Sequence, residues 1–141
     1  MTEKTPWWFW VIAIISLLWN FVGALDYTMT HLRVESYLAA FTEEQKAYFF
    51  GYPAWAVACW ALGVWGSFAG SLLLLLRSKW AVQSFAISVI GLIGATIYQM
   101  TADIPSSLNT ASAWAFSAVI WIATLGLLWF AMRMRGRSIL R

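Results

Sequence analysis

A chain of 141 residues has the length of one domain, but 62% apolar residues against 11% charged is far from the soluble average of about half apolar and a quarter charged. A soluble domain this small has too little interior to hide so much apolar surface. The net charge of +3 does not point to nucleic acid, because four of the nine Lys and Arg fall in the last nine positions, just beyond an apolar stretch and without aromatic–basic interleaving.

Crossing a hydrocarbon core of roughly 30 Å takes about 20 mainly apolar residues in a helix, since only a closed backbone hydrogen-bond ladder is tolerated there. Four stretches qualify: Trp7 to Leu25, Pro53 to Leu76, Trp80 to Thr101 and Ala111 to Met132. The fold class expected is therefore all-α, a polytopic single membrane domain over residues 1–141 with an extracytoplasmic loop over about 26–52.

The first span admits a competing reading as a cleaved signal peptide, with Val22-Gly23-Ala24 as the small-residue site. Its length, its tryptophans and a weak positive start holding both Glu3 and Lys4 favour a retained helix. The loop that follows is patterned. Val34, Leu38 and Phe41 recur at helical spacing, and Thr42-Glu43-Glu44-Gln45 is a capping box that opens a short helix toward Phe50 before Gly51-Tyr52-Pro53 breaks the chain. The pattern predicts a first helix prolonged beyond the membrane and a short surface helix, either a lid over a cavity or a cap on the helix ends.

Pro53 can open the second span, where its missing N–H costs nothing. Within that span, Cys59 is the one cysteine, with no internal disulfide partner and no basic neighbour, and reads as an apolar filler. Asp103-Ile104-Pro105-Ser106 reads as a turn between the third and fourth spans, and Asn109 as the cap of the fourth. Gly66-x-x-x-Gly70, Gly91-x-x-x-Ala95 and Ala111-x-x-x-Ala115 place small residues where helices can approach closely, within the bundle or between copies.

Lys and Arg accumulate on the cytoplasmic side of short loops. Lys4, Arg77, Lys79, Arg133, Arg135, Arg137 and Arg141 fall on one face, and only Arg33 and Lys46 on the other. Both termini are expected in the cytoplasm, the location being a bacterial inner (plasma) membrane. Trp7, Trp8, Trp10, Trp80 and Trp129 near the inner interface, with Trp55 and Trp114 near the outer, form an aromatic belt. Arg77, Lys79, Arg133, Arg135 and Arg137 are candidate contacts for lipid headgroups, although topogenesis explains them equally well.

The chain also carries an internal echo. Residues 23–30, Gly-Ala-Leu-Asp-Tyr-Thr-Met-Thr, align with residues 94–101, Gly-Ala-Thr-Ile-Tyr-Gln-Met-Thr, at the same topological position, and Trp65, Gly70, Leu72 and Arg77 align with Trp121, Gly126, Leu128 and Arg133. Two tandem hairpins related by a pseudo-twofold axis are the architecture this suggests.

Ionised or polar groups persist within a membrane only when partnered or used. Asn20 lies about 9 Å deeper than Asp26 at the helical rise, and Tyr98 and Gln99 sit at comparable depth on the third helix. Asn20, Asp26, Tyr27, Tyr98, Gln99 and Asp103 are candidate members of an outer polar pocket. The alternative is that Asp26 sits in headgroup water or pairs with Arg33. Catalysis finds little support: His31 is the sole histidine, so a bis-histidine haem site is excluded within one chain, and the sequence holds no metal-ligand cluster, phosphate loop or nucleophile elbow. No enzyme activity, metal or cofactor is expected.

Leu18-Trp19-Asn20, Gly23-Ala24, residues 26–30, Pro53-Ala54-Trp55, residues 60–66 and the Gly70-Ser71 to Arg77 run together resemble a group of small uncharacterised proteobacterial four-helix inner-membrane proteins sometimes labelled sugar transporters. The resemblance covers most of the chain and supplies no site residues. The chain departs from the small multidrug exporters of similar size, because its first helix lacks their mid-membrane glutamate. Two functions follow as expectations: a small-solute, sugar-like permease acting as a homo-oligomer, or a non-catalytic accessory or scaffold subunit of a larger membrane complex. The partners expected are membrane lipids and one of those assemblies, with no nucleic acid.

Overall fold

Each long apolar stretch folds as a helix, and the residues flanking it decide where it starts and stops. A computed structural model describes residues 5–32, 35–101 and 109–141. Its elements are α1 (Trp7–His31), α2 (Glu35–Leu38), α3 (Glu43–Phe50), α4 (Ala54–Leu75), α5 (Ala81–Thr101) and α6 (Ala111–Gly136). Lys4, Arg33, Val34 and the turn at Asp103 to Ser106 lie outside the described residues.

Extended Pro6 precedes α1, which runs past Leu25 to His31, as expected of a first helix prolonged beyond the membrane. The capping box at α3 is complete: the Gln45 N–H donates to Thr42 Oγ1 and the Thr42 N–H to Gln45 Oε1, both at 3.1 Å. Pro53 stands one position before α4, in extended conformation, with its carbonyl accepting from the Val57 N–H. The expected cap of α6 is corrected by one residue. Thr110 is the extended residue next to Ala111, so its hydroxyl is the one within reach of the Ala113 N–H at 3.1 Å, while Asn109 Oδ1 accepts from the Trp114 indole N–H. The fourth span also continues beyond Met132 to Gly136.

Helices α4 and α6 stop alike. Arg77 (φ 54°) and Ser138 (φ 61°) take the left-handed conformation, and the following N–H groups of Ser78 and Ile139 return to the carbonyls of Leu73 and Met134. Both are Schellman caps, formed here without the usual glycine.

Four helices, α1, α4, α5 and α6, are long and apolar enough to cross a membrane. Their surfaces are arranged for lipid: Ile15, Leu18, Val22, Ile90, Ile97 and Ile122 point outward and exposed, while Ser16, Asn20, Ser67, Ser71, Ser88 and Thr124 are buried between helices. Water would favour the reverse distribution.

Helix α4 packs against both α1 and α5, α6 packs against α5, and the ring pairs Phe9–Phe130 and Trp19–Phe116 bring α6 back to α1. The α4–α5 contact is the closest, for a reason visible in its glycines. A Cβ on Gly91 would stand 2.5 Å from the Cys59 carbonyl oxygen and 2.5 Å from the Gly63 nitrogen, and one on Gly66 would stand 3.0 Å from the Ser88 nitrogen. Gly66 and Gly91 thus do what their spacing predicted, letting two backbones touch, while Gly70 makes room for the Phe85 ring. Ala111 and Ala115 make no such approach within the chain, both being exposed on α6.

One end of the bundle carries the start of α1, the C-terminal tail and the α4–α5 turn and is termed basal; the other, carrying α2 and α3, is apical. At the basal end Phe9 stacks on Phe130 at 5.9 Å and the two close a core with Leu74, Phe85 and Met134. The C-terminal tail completes that core. Ile139 and Leu140 are buried in it, Arg77 Nε donates to the Ile139 carbonyl at 3.1 Å, and the Arg141 backbone exchanges hydrogen bonds with Arg77 and Lys79.

Candidate functional site at the apical end

The apical end is built from rings. Tyr27 of α1 packs against His31 at 4.2 Å, Trp60 at 5.3 Å and Trp65 at 6.3 Å. Tyr98 of α5 packs against Tyr52 at 4.5 Å, Trp55 at 5.6 Å and Tyr48 at 6.4 Å. Tyr52 and Phe49 both reach Trp60, so one continuous aromatic cluster spans α1, α3, the α3–α4 connection, α4 and α5. Offset and edge-on pairs of this kind each contribute about 0.5–1.5 kcal/mol beyond their buried area.

Polar groups are threaded through the rings. Burial, first, together with the neighbouring Tyr48 hydroxyl pushes the Tyr52 phenol well above its ordinary range, with Gln99 acting in the opposite sense. Burial likewise raises the Tyr48 phenol, whose buried oxygen makes no hydrogen bond of ordinary geometry. Asp26 accepts from the Tyr37 hydroxyl, which ties α2 to the end of α1. Burial and then that carboxylate push Tyr37 up to about 12. His31 Nδ1 lies 2.9 Å from the Tyr27 carbonyl. Beside it, Thr30, His31, Phe49, Phe50 and Val57 line a cleft of about 100 Å³, smaller than the roughly 300–1,000 Å³ of ordinary ligand pockets.

No known protein family, curated protein or solved structure matches the chain. The site therefore has to be read from its own residues.

Of the expected pocket residues, Tyr27, Tyr98 and Gln99 converge on the cluster, Asp26 flanks it through Tyr37, and Asp103 lies outside the described residues. Asn20 belongs elsewhere. Its amide donates to the Ser67 carbonyl at 3.1 Å and to Ser71 Oγ at 2.6 Å, joining α1 to α4 at mid-bundle. The donor of each remaining bond follows from counting protons. Ser71 donates to the Ser67 carbonyl and Ser88 to the Gly63 carbonyl, so the Ser67 hydroxyl must donate to Ser88 Oγ across the 2.6 Å that separates them. Ser84 adds a bond to the Gly66 carbonyl at 2.7 Å. Ser67, Ser84 and Ser88 thus spend their protons binding α4 to α5, and Ser71 spends its own within α4 while accepting from Asn20 of α1, at about 0.6 kcal/mol per interhelical bond on average in membranes.

The basic residues at the basal end divide in the same way. Arg77 holds the tail. Lys79 lies over Trp80 at 5.8 Å, Arg133 over Trp129 at 5.6 Å and Arg137 over Trp8 at 5.5 Å, while Arg135 is exposed. Sequence reasoning missed Tyr37, Phe49, Tyr52 and Trp60 as members of the apical site. The density of rings between Tyr48 and Trp60 was the available signal.

Proposed function

We propose that this chain is a non-catalytic scaffold or accessory subunit of a larger membrane assembly, presenting its aromatic apical end to a partner and conducting no solute through its middle. The observation that carries this reading is the closed basal end, where Ile139 and Leu140 are buried in the same core as Phe9, Leu74 and Phe130. The serine and asparagine hydrogen bonds at mid-bundle support it, because they satisfy polar groups that a hydrated route would leave open to water. In this proposal the termini and the α4–α5 turn face the cytoplasm of a bacterial inner membrane, on the distribution of Lys and Arg.

A permease reading draws on one specific observation, the apical cleft beside His31. It would require a second copy to supply a route, since the cleft measures only about 100 Å³. The tandem-hairpin architecture also belongs among the proposals. In its favour, the repeated Tyr27 and Tyr98 meet one cluster, Tyr27 through Trp60 and Tyr98 through Tyr52. The repeated glycines differ, since a Cβ on Gly94 would collide with the Cys59 sulfur and one on Gly23 would meet nothing. The architecture requires that the rotation carrying residues 10–30 onto 81–101 also carry α4 onto α6.

Gentle extraction followed by native mass spectrometry tests the main reading. The accessory role predicts a heteromeric complex that persists in mild detergent. A chain found solely as a homo-oligomer would contradict it and favour the permease.

A further inference from the structure

We propose that the apical cleft is a socket for a lysine side chain of the partner, its ammonium held by Thr30 and His31 at the end of α1 and its stem by Phe49, Phe50 and Val57. This deepens the scaffold reading above and rests on it. The observation behind it is a hydroxyl left over. Thr28, Thr101 and Thr124 each donate to the carbonyl one turn back, which satisfies a hydroxyl within a helix. Thr30 is only 4% exposed and lines the cleft, but among the described residues its hydroxyl has no hydrogen-bond partner. A buried hydroxyl is costly to leave in that state. Beside it, His31 turns Nδ1 to the Tyr27 carbonyl at 2.9 Å. With Nδ1 donating there, Nε2 of the uncharged ring is an acceptor.

The cleft selects its occupant by size, shape and charge. A volume of about 100 Å³ is that of roughly three waters in the liquid, room for the end of one side chain. The polar lining, Thr30 and His31, comes from α1, and the apolar lining, Phe49, Phe50 and Val57, from α3 and α4. Such a division matches a side chain with an apolar stem and a polar head. Charge makes that head a cation. The last turn of α1 is the negative end of its helix dipole, which favours positive charge. Among the described residues Asp26, Glu35, Glu43 and Glu44 all lie at the apical end, against Lys46 alone, which is tied to Glu43 at 3.1 Å. Arg33 and Asp103, outside the described residues, carry opposite charges. The same field repels a carboxylate. The compact ammonium of lysine suits two acceptors in a small space better than the broad, five-donor fork of arginine does.

The test titrates the purified full chain in detergent with N-acetyl-lysine amide, with N-acetyl-norleucine amide and with dispersed phosphatidylethanolamine. His31 is the sole histidine, so the imidazole NMR signals of histidine-labelled protein report on this site alone. The lysine probe is expected to shift those signals saturably, and the norleucine probe, which has the stem without the ammonium, to leave them in place. Thr30→Val is expected to weaken the lysine probe roughly tenfold without lowering thermal stability, because the fold loses no hydrogen bond. Thr28→Val, whose hydroxyl is already spent on the Ala24 carbonyl at 2.8 Å, should change binding less than about twofold. If Thr30→Val does not fold, Val57→Phe, which fills the cleft, is expected to abolish the shift. Equal shifts from the two amino-acid probes, or unweakened binding in Thr30→Val, would overturn the socket. Tighter binding of phosphatidylethanolamine than of the lysine probe would do so too, by assigning the site to a lipid headgroup. None of these results touches the scaffold reading, which stands or falls on the heteromeric complex.

Discussion

Tyr37 and Asp26 form a contact whose strength depends on which of them holds the proton. As long as Tyr37 keeps its proton it donates to the carboxylate, and the contact pins α2 to the end of α1. Burial and the carboxylate together raise the phenol from about 10 to about 12. A group whose folded value is raised contributes its stabilisation fully below the unfolded value and loses it as pH rises through the folded one. The contact should thus be intact up to about pH 10 and lost by about pH 12. Ultraviolet titration of phenolate checks this: Tyr37→Phe should remove a step near pH 12, and Asp26→Asn should lower that step part of the way, since burial is the larger cause. Loss of a step near pH 10 in Tyr37→Phe, with the signal near pH 12 unchanged, would mean that the contact does not form.

At the scale of the helix, the α4–α5 pair depends on the absence of side chains. Adding a methyl at Gly91 drives it into the Cys59 carbonyl and the Gly63 nitrogen, which are backbone atoms and cannot rotate aside. Gly91→Ala should therefore destabilise by about 1–3 kcal/mol, as overpacking does. Gly126, where a Cβ would meet nothing within 4 Å, is the control, and Gly126→Ala should be neutral or stabilise by up to about 1 kcal/mol through helix propensity. Thermal unfolding in detergent distinguishes the two, and equal shifts would mean that the helices do not approach as described. The four long helices and the capping box at Thr42 were legible in the sequence because both are written in residues close together. The partners of Asn20 were not, because Asn20 and Ser71 are 51 residues apart and periodicity gives no information on which faces of two helices meet. The same limit hid the grouping of Tyr37 with Asp26, whereas Tyr27, Tyr98 and Gln99 could be grouped by depth alone.

For the whole molecule, the consequence of these contacts is a bundle whose two ends differ. The apical end presents rings, phenols and a small cleft; the basal end is filled by Phe9, Phe130, Met134 and the returning tail. Arg77 illustrates why that closure was hidden in the sequence. As one residue of a basic cluster it reads as a topology signal, and its bond to Ile139, 62 positions away, becomes apparent only once the tail folds back. The proposal that no solute path runs through this bundle is best tested by reconstituting the full chain into liposomes and following solute entry by stopped-flow osmotic swelling. Swelling for glucose and glycerol should be indistinguishable from that of protein-free vesicles. Protein-dependent, saturable entry of either solute would contradict the proposal.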